Sequence, residues 1–394
     1  MLIPGARFHA VAFLSADSFG GTMRNQRKTM VAAVAALSLV VAACGSDGDS
    51  SSDSTEAPAA TEAPAVTEAP AEAGFNVGLT YDIGGRGDQS FNDSAAVGLD
   101  AAKAILGVTG TEAEPNADGS DRAQLLQLQA DQSDLVVAVG FLFAGDVAAV
   151  AAENPDTNFA VVDDAMLDFE NGGVPIADNI AGLTFAEEQG SFLVGAAAAL
   201  KSETGTLGFI GGVGGFGLIE KFEAGFTAGA QTVNPDITVI AQYITQAPDF
   251  DGFFAADRAQ EIALTMYDQG ADIIYHAAGG SGAGLFEAAK SQSESSGSQV
   301  WAIGVDSDQY YTAGPDFQPY ILTSMLKRVD VSVLEIATAQ AEGTFTAGNT
   351  VYDLAVDGVG YSTSGDYLAD IVDQLDAFKA EIIAGAIVVP TAPA

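Results

Sequence analysis

Residues 206–243, which read TLGFIGGVGGFGLIEKFEAGFTAGAQTVNPDITVIAQY, contain the pattern that decides the fold. Short apolar runs at 206–210 and 237–243 predict β-strands, and the amphipathic stretch at 218–233 predicts a helix between them. A glycine-rich turn joins the first strand to the helix and matches the GxGxxG pattern of a dinucleotide site. The second strand has no Asp or Glu at its end to hold a ribose, so we interpret the glycines as a geometric turn.

The alternation of strand and helix continues on both sides of this unit. Continuous apolar strands separated by helices predict parallel sheets that are covered on both faces. Roughly nine strands over about 320 residues fit two domains better than one, so we expect an α/β protein with two doubly wound parallel-sheet lobes. A further strand is expected between 108 and 120. The other predicted strands are 75–81, 134–139, 158–162, 180–184, 272–276, 300–305 and 320–325, and the other predicted helices are 92–107, 144–153, 187–201, 254–270, 283–293, 329–342 and 366–385.

The composition excludes several classes of function. The chain has 394 residues with 53 acidic and 14 basic side chains, a formal net charge of −39, which argues against binding to nucleic acid or to anionic lipid by charge. Hydrophobic residues make up 48%, enough for well-formed cores. With one cysteine and two histidines, the chain lacks the residues for a disulfide framework, a zinc site of several thiolates or a Ser-His-Asp catalytic set. We therefore expect no metal and no cofactor.

The first 43 residues have the pattern of a secretory signal. From Met23 the sequence runs MRNQRKTMVAAVAALSLVVAACG, in which a basic start precedes an apolar stretch that is too short to span a bilayer. The ending Val-Ala-Ala-Cys44 resembles the bacterial lipobox, and ordinary cleavage by signal peptidase is the alternative. We predict that Met23 is the true start, that residues 1–43 are removed, and that an acylated Cys44 anchors the chain at the extracytoplasmic face of the cell membrane.

Residues 44–74 are predicted to form a disordered tether after the lipidated cysteine. A stretch rich in Ser and Asp is followed by the hexamers TEAPAA, TEAPAV and TEAPAE, which begin at 55, 61 and 67. Pro, Ala and Glu without apolar periodicity cannot bury a core. The tether would let the folded part stand away from the membrane.

Open parallel sheets bind ligands at the carboxyl ends of their strands, and several predicted strands end in polar or aromatic residues. Carboxylates that accept from hydroxyls and rings that stack suit a neutral polyol or heterocycle. These residues are Asp82, Phe91 and Asn92 after the first strand, Asp163 and Asp164 after 158–162, Gly279 after 272–276, Asp306 after 300–305 and Lys327 after 320–325.

Seven short motifs follow the predicted lipobox in order. They are DQSFN at 88–92, EQGSFLVG at 188–195, GFIGG at 208–212, GADIIY at 270–275, AGGSG at 278–282, IGVDSDQ at 303–309 and TSMLKRVD at 323–330. In these motifs the chain resembles the basic membrane protein family, the purine-nucleoside-binding lipoproteins of ABC transporters, from about Phe75 to Pro390. The resemblance implies the type I periplasmic-binding-protein fold, in which three crossovers form a hinge between two lobes and the ligand lies between them.

The same resemblance implies which residues contact the base. Phe91 would stack on one face of the purine, and Asp82 and Asn92 would make polar contacts near the base. Tyr275 fits the second stacking aromatic by its spacing, with Phe216 as the alternative.

Further residues are placed in the ligand site by the resemblance. Asp306 and Lys327 resemble the pair that holds the ribose hydroxyls. Asp163 or Asp164 would supply a further polar contact, and Gly279 would also lie at the ligand.

The predicted function is that of a lipid-anchored, monomeric solute-binding protein that delivers a neutral purine nucleoside to an ABC permease. The fold analogy predicts a first lobe of 75–183 plus 327–347 and a second lobe of 184–326 plus 348–390. One alternative is a receptor-type binding module of the same fold for another small ligand such as a sugar. An enzyme such as a nucleosidase is the other, and it would have to rely on carboxylates alone.

Overall fold

The computed structural model describes residues 74–394. The predicted signal peptide, the predicted lipidation at Cys44 and the tether repeats lie outside the described residues. Within the described range, no helix combines the length and the apolar character that crossing a membrane requires.

Strands and helices alternate along most of the described chain. The strands are β1 Asn76–Thr80, β2 Thr109–Ala113, β3 Leu135–Ala138, β4 Asn158–Val162, β5 Leu167–Asp168, β6 Val174–Pro175, β7 Ile180–Phe185, β8 Thr206–Gly214, β9 Thr238–Gln246, β10 Ile273–Ala277, β11 Trp301–Asp306, β12 Ile321–Lys327, β13 Gly348–Tyr352 and β14 Val359–Tyr361. The helices are α1 Phe91–Leu106, α2 Arg122–Ala130, α3 Ala144–Glu153, α4 Glu187–Lys201, α5 Leu218–Val233, α6 Ala256–Asp268, α7 Gly282–Ser296, α8 Gln309–Thr312, α9 Val329–Glu342 and α10 Val372–Ile383.

The strands form two six-stranded sheets. The first has the order β13-β7-β4-β3-β1-β2 and is parallel throughout. The second has the order β14-β12-β11-β10-β8-β9 and is parallel except for β14, which runs antiparallel to β12. Each sheet with its helices makes one lobe. The predicted α/β fold class with two parallel-sheet lobes is confirmed, and the strand expected between 108 and 120 is β2, at the edge of the first sheet.

The chain passes between the lobes three times. The crossings lie between β7 and α4, between β12 and α9, and between β13 and β14. They run side by side, because the Ala186 amide donates to the Tyr352 carbonyl (3.0 Å) and the Arg328 amide donates to the Gly358 carbonyl (2.9 Å). A few residues at the ends of elements that absorb a rotation commonly form a hinge between domains.

The three predicted lobe boundaries differ from the structure. Two are displaced by one or two residues, because Thr184 and Phe185 belong to β7 of the first sheet and Lys327 ends β12 of the second. The third is wrong by more. The prediction places residues from 348 onward in the second lobe, but β13 pairs in parallel with β7 in the first sheet, with Gly348 opposite Ala181. The third crossing therefore comes after Tyr352. The cause is that GNTVY is short and largely polar, so its sequence alone does not indicate a strand that closes the edge of a sheet.

The core of each lobe follows from the apolar strands. Every residue of the LVVA run of β3 is buried, as is the FAVV run of β4, because helices cover both faces of the sheet.

In the second lobe, α4 and α5 pack backbone to backbone. A Cβ atom on Gly225 would overlap the carbonyl oxygen of Glu188, and one on Gly229 would overlap that of Phe192. Only glycine permits this approach.

Candidate functional site

The carboxyl ends of the two sheets face a cleft between the lobes. Its empty space is about 670 Å³ with the open solvent at its mouth included. The first lobe contributes Asp82, Ile83, Asp88, Phe91, Asn92, Gly140, Phe141, Leu142 and Asp163, and the second contributes Leu218, Ile219, Phe222, Phe253, Phe254, Ala277, Ala278, Gly279, Gly280, Val305, Asp306 and Lys327.

Two aspartates enter the cleft from unusual backbone positions. Asp163 directly follows β4 with φ of 70°, and Asp306 ends β11 with φ of 63°. This left-handed conformation is energetically unfavourable for residues other than glycine, although aspartate tolerates it better than most. Such strain persists where the surrounding structure enforces it, which is most common at functional sites.

Lys327 lies at the centre of a buried group of charges. Its side chain is 2% exposed, and Nζ lies 2.7 Å from the Asp163 carboxylate and 3.3 Å from Glu187 Oε1. Burial alone would lower the pKa of Lys327, but Asp163, Glu187 and Asp306 together raise it above the usual lysine value. Lys327 is therefore a permanent cation at physiological pH.

Aromatic rings enclose the same ammonium. Nζ of Lys327 lies 5.1 Å from the ring centre of Phe91, 5.0 Å from that of Phe185 and 5.7 Å from that of Phe222. These distances are within the range of cation–π attraction. The rings fix the lysine against an apolar wall at one end of the cleft.

Asp306 connects the two lobes. Ser90 Oγ, from the first lobe, donates to Asp306 Oδ2 at 2.6 Å, and Ser307 Oγ donates to the Ser90 carbonyl at 2.9 Å. Burial raises the pKa of Asp306 to about 6, although Lys327 and the Ser90 hydrogen bond oppose the shift. The carboxylate keeps acceptor sites that Ser90 does not occupy.

Asp82 and Asn92 offer one acceptor and one donor to a ligand. Asn92 Oδ1 accepts from the Asp82 amide (2.9 Å), which fixes the orientation of the side-chain amide and leaves Nδ2 as its donor. Asp82 Oδ1 accepts from the Ile83 amide (2.8 Å), and burial raises the pKa of Asp82 to about 7. A side chain with this pKa changes its charge near neutral pH.

Asp88 also lines the cleft, but its carboxylate is occupied by the start of α1. It accepts from the backbone amides of Ser90, Asn92 and Asp93 at 2.9–3.1 Å. This satisfies amides that a helix start leaves unpaired. Asp88 therefore orients the Phe91–Asn92 pair.

The structure brings seven of the nine sequence-predicted ligand residues to the cleft. They are Asp82, Phe91, Asn92, Asp163, Gly279, Asp306 and Lys327.

Two predicted ligand residues lie elsewhere. Asp164 turns away and accepts from the Met166 amide (2.8 Å), so Asp163 is the aspartate that faces the cleft. Tyr275 is fully buried, with its ring 5.2 Å from that of Phe226 and its hydroxyl 3.2 Å from that of Ser191. It is a core residue because β10 continues for two residues beyond it, which places it inside the sheet rather than at the strand end.

Phe216, the alternative aromatic, does not line the cleft either. It stacks on Phe141 with 4.7 Å between ring centres and an angle of 27°, and Phe250 lies 6.1 Å from both rings. Phe141 belongs to the first lobe and the other two belong to the second. We call these residues the three-ring cluster, and it holds the lobes together beside the cleft.

Three aromatics of the second lobe that face the cleft were not predicted, Phe222, Phe253 and Phe254. Phe253 and Phe254 follow β9, which continues to Gln246, three residues beyond the predicted strand end. Even with that end placed correctly, both rings lie several residues further on, at the 3-10 turn Phe250–Phe253, so the residues immediately after the strand do not include them. Phe222 lies on α5 and carries no such signal.

Comparisons with known proteins identify the family and agree with the fold. Residues 75–392 match the profile of the Bmp family, described as ABC transporter substrate-binding protein PnrA-like. The CD4+ T-cell-stimulating antigen of Listeria innocua is 35% identical over 376 residues, which cover 91% of this chain and 97% of that protein. The ABC transporter nucleoside-binding protein BmpA of Lactococcus lactis is 33% identical over 328 residues, 79% of this chain and 88% of that protein. Among solved structures, a solute-binding protein of an ABC transporter system from Aeropyrum pernix has a TM-score of 0.67 and 27% identity, and covers 80% of this chain and 94% of its own.

Proposed function

The chain belongs to the Bmp family of PnrA-like ABC transporter substrate-binding proteins, which bind a solute and are not enzymes, and on that premise we propose that it binds a neutral purine nucleoside. The observation that carries the proposal is the convergence of Asp306 and Lys327 beside Phe91 at one end of the cleft. A charged pair suited to a diol next to an aromatic ring matches a ribose joined to a heterocycle. The nucleoside-binding name of the Lactococcus lactis relative supports the same ligand class.

The ribose end is assigned to Asp306 and Lys327. A carboxylate can accept from two neighbouring hydroxyls, and such charge-assisted bonds are about twice as strong as neutral ones. Ser90 takes one acceptor position of Asp306, and a diol would take others. A ligand without the diol would leave a buried carboxylate unpaired, at a cost of about 1–3 kcal/mol.

The base end is assigned to the aromatic residues and to Asp82 and Asn92. Phe91 offers a ring from the first lobe, and Phe222 and Phe253 offer rings from the second. Stacking of a base on one ring contributes roughly 1–3 kcal/mol. An acceptor at Asp82 and a donor at Asn92 Nδ2 complement a base edge that presents one N–H and one acceptor.

The charge of the cleft favours a ligand without phosphate. Four carboxylates line it, those of Asp82, Asp88, Asp163 and Asp306, against the single ammonium of Lys327. That ammonium already contacts Asp163 and Glu187. A nucleotide would bring further negative charge without a basic clamp to receive it.

We further propose that Cys44 is acylated, that the protein is held as a monomer at the extracytoplasmic face of the membrane, and that an ABC permease receives the ligand. The lipobox pattern and the tether repeats support this placement. Membrane fractionation of the wild type and of Cys44→Ser tests it. The anchor is expected to keep the wild type with the membrane and to release the variant.

A thermal-shift screen tests the ligand class. Adenosine, guanosine and inosine are compared with adenine, ribose, a hexose and AMP on the purified protein. Stabilisation follows RT ln(1 + [L]/Kd), so a micromolar ligand at millimolar concentration adds about 4 kcal/mol. Nucleosides are expected to stabilise most. Stabilisation by a hexose with none by nucleosides would favour the sugar-binding alternative instead.

A further inference from the structure

Glu187 is a buried carboxylate outside the ligand cleft. It is the first residue of α4, directly after the first crossing between the lobes, and its side chain is 1% exposed. A charge that is removed from water in this way is costly unless it is paired. Its partners therefore indicate why the position holds an acid.

Both partners of Glu187 are lysines. Lys221 Nζ lies 2.9 Å from Oε2, and Lys327 Nζ lies 3.3 Å from Oε1. Since Lys327 also contacts Asp163 at 2.7 Å, the side chains form a sequence of alternating charge. We call Lys221, Glu187, Lys327 and Asp163 the four-residue charge chain.

The charge chain follows the hinge. Glu187 comes just after one crossing and Lys327 just before the next, so their contact joins two crossings directly. Asp163 belongs to the first lobe and Lys221 to α5 of the second. Lys221 also donates to the carbonyl of Phe185 (3.2 Å), the last residue of β7. The position of the Lys327 ammonium is thus set from both lobes.

The contact between Glu187 and Lys327 acts through charge. Within the described residues Glu187 Oε1 makes no hydrogen bond, yet it lies 3.3 Å from Lys327 Nζ. Without this attraction, Asp163 would be the one carboxylate among the described residues that remains within 4 Å of the ammonium outside the proposed ribose site. The ammonium would then be drawn toward the first lobe and away from Asp306.

We propose that Glu187 is a positioning residue that holds the Lys327 ammonium where a ligand diol meets it, and that Lys221 keeps the Glu187 side chain in its orientation. The inference rests on the proposed function of the cleft. It assigns a role in ligand discrimination to two residues that do not touch the ligand.

The test compares adenosine with 2′,3′-dideoxyadenosine by calorimetric titration of the wild type, Glu187→Gln and Lys221→Met. If Glu187 acts through Lys327 on the diol, Glu187→Gln weakens adenosine binding about 10-fold or more, and binding of the dideoxy compound changes less than about 2-fold. Lys221→Met is expected to shift affinities in the same direction by a smaller factor. Glu261→Gln, on the exposed face of α6, is the control for the loss of one negative charge.

A second readout does not need the ligand. The NMR signal of the Lys327 side-chain ammonium, identified by its loss in Lys327→Met, is expected to shift or broaden in Glu187→Gln and to stay unchanged in Glu261→Gln. An equal loss of affinity for both compounds, or no loss for either, would show that Glu187 is merely structural. An unchanged Lys327 signal would also overturn the proposal.

The two readouts separate this proposal from the proposed function. If the wild type binds no nucleoside, the assigned ligand class is wrong. The Lys327 signal then decides alone whether Glu187 positions the lysine.

Discussion

Ser90 Oγ lies 2.6 Å from Asp306 Oδ2 although the two residues belong to different lobes. Ser90 precedes α1 in the first lobe, and Asp306 ends β11 in the second. The carboxylate assigned to the ribose is therefore also a contact that closes the cleft. Ligand binding and lobe closure share one side chain, so changes at either residue should affect both.

Asp306→Asn should remove most of the affinity for nucleosides while the protein stays folded. The variant loses the charge that strengthens each bond to the diol, and the expected loss is about 100-fold or more. Calorimetric titration measures it, and circular dichroism checks the fold. Adenosine or guanosine binding at wild-type strength would mean that the ribose lies elsewhere.

Ser90→Ala should destabilise the closed arrangement of the two lobes and leave the direct contacts to the ligand in place. A hydrogen bond to a charged group is worth about 1.5–3 kcal/mol, so the dissociation rate is expected to rise about 10-fold and the association rate to change little. Stopped-flow fluorescence separates the two rates. Ser295→Ala, at an exposed position of α7, is the matched control. A change confined to the association rate would contradict this role.

Stability should fall as the pH rises from about 4 to 7, and Asp82 should cause part of the fall. Burial raises the pKa of Asp82 from 3.8 to about 7, so between these values the native protein holds a proton that the unfolded chain has released. Unfolding is then favoured as the pH rises, by about 4 kcal/mol at most from this group. Urea unfolding at several pH values measures the dependence. Asp82→Asn should flatten it, and an equally steep curve in that variant would refute the assignment.

Phe91→Leu should weaken adenosine binding, whereas Tyr275→Phe should leave the affinity nearly unchanged. The first removes a ring that faces the cleft, and adenosine binding should weaken by roughly 1–3 kcal/mol. The second removes only a hydroxyl in the core, 3.2 Å from that of Ser191, and affinity should stay within about 2-fold. Calorimetric titration compares the two variants. A loss of affinity in Tyr275→Phe would show that the tyrosine contributes to the ligand site.

Phe216→Ala should speed ligand release because it disrupts the three-ring cluster that holds the lobes together. Its stack on Phe141 spans the lobes, and an aromatic pair contributes about 0.5–1.5 kcal/mol beyond its buried area. The dissociation rate is expected to rise a few-fold for every nucleoside alike. Phe169→Ala, which changes a ring that is 75% exposed, serves as the control. A change in preference among bases would instead place Phe216 at the ligand.

The sequence predicted most accurately the site residues that lie at strand ends. Apolar runs located β4, β11 and β12, and the residues at the carboxyl ends of these strands, Asp163, Asp306 and Lys327, lie in the cleft. Residues that do not directly follow a strand were predicted less accurately. Tyr275, which was chosen by motif spacing, lies inside β10, and Phe253 lies on a 3-10 turn several residues after the end of β9.

Other features could not be predicted because they depend on packing between distant segments. Phe222 reaches the cleft from the side of α5, and Glu187 meets Lys327 only because two crossings lie side by side. The edge strand β13 and the short helix α2 were not predicted, since GNTVY and RAQLLQLQA lack a strong periodic pattern.

The glycine contacts between α4 and α5 have a mechanical consequence. Because backbone meets backbone at Gly225 and Gly229, the two helices have no side-chain layer in which they could slide past each other. The second lobe should then rotate as a rigid body from Glu187 onward. The bending needed to admit a solute would fall on the few peptide units of the three crossings.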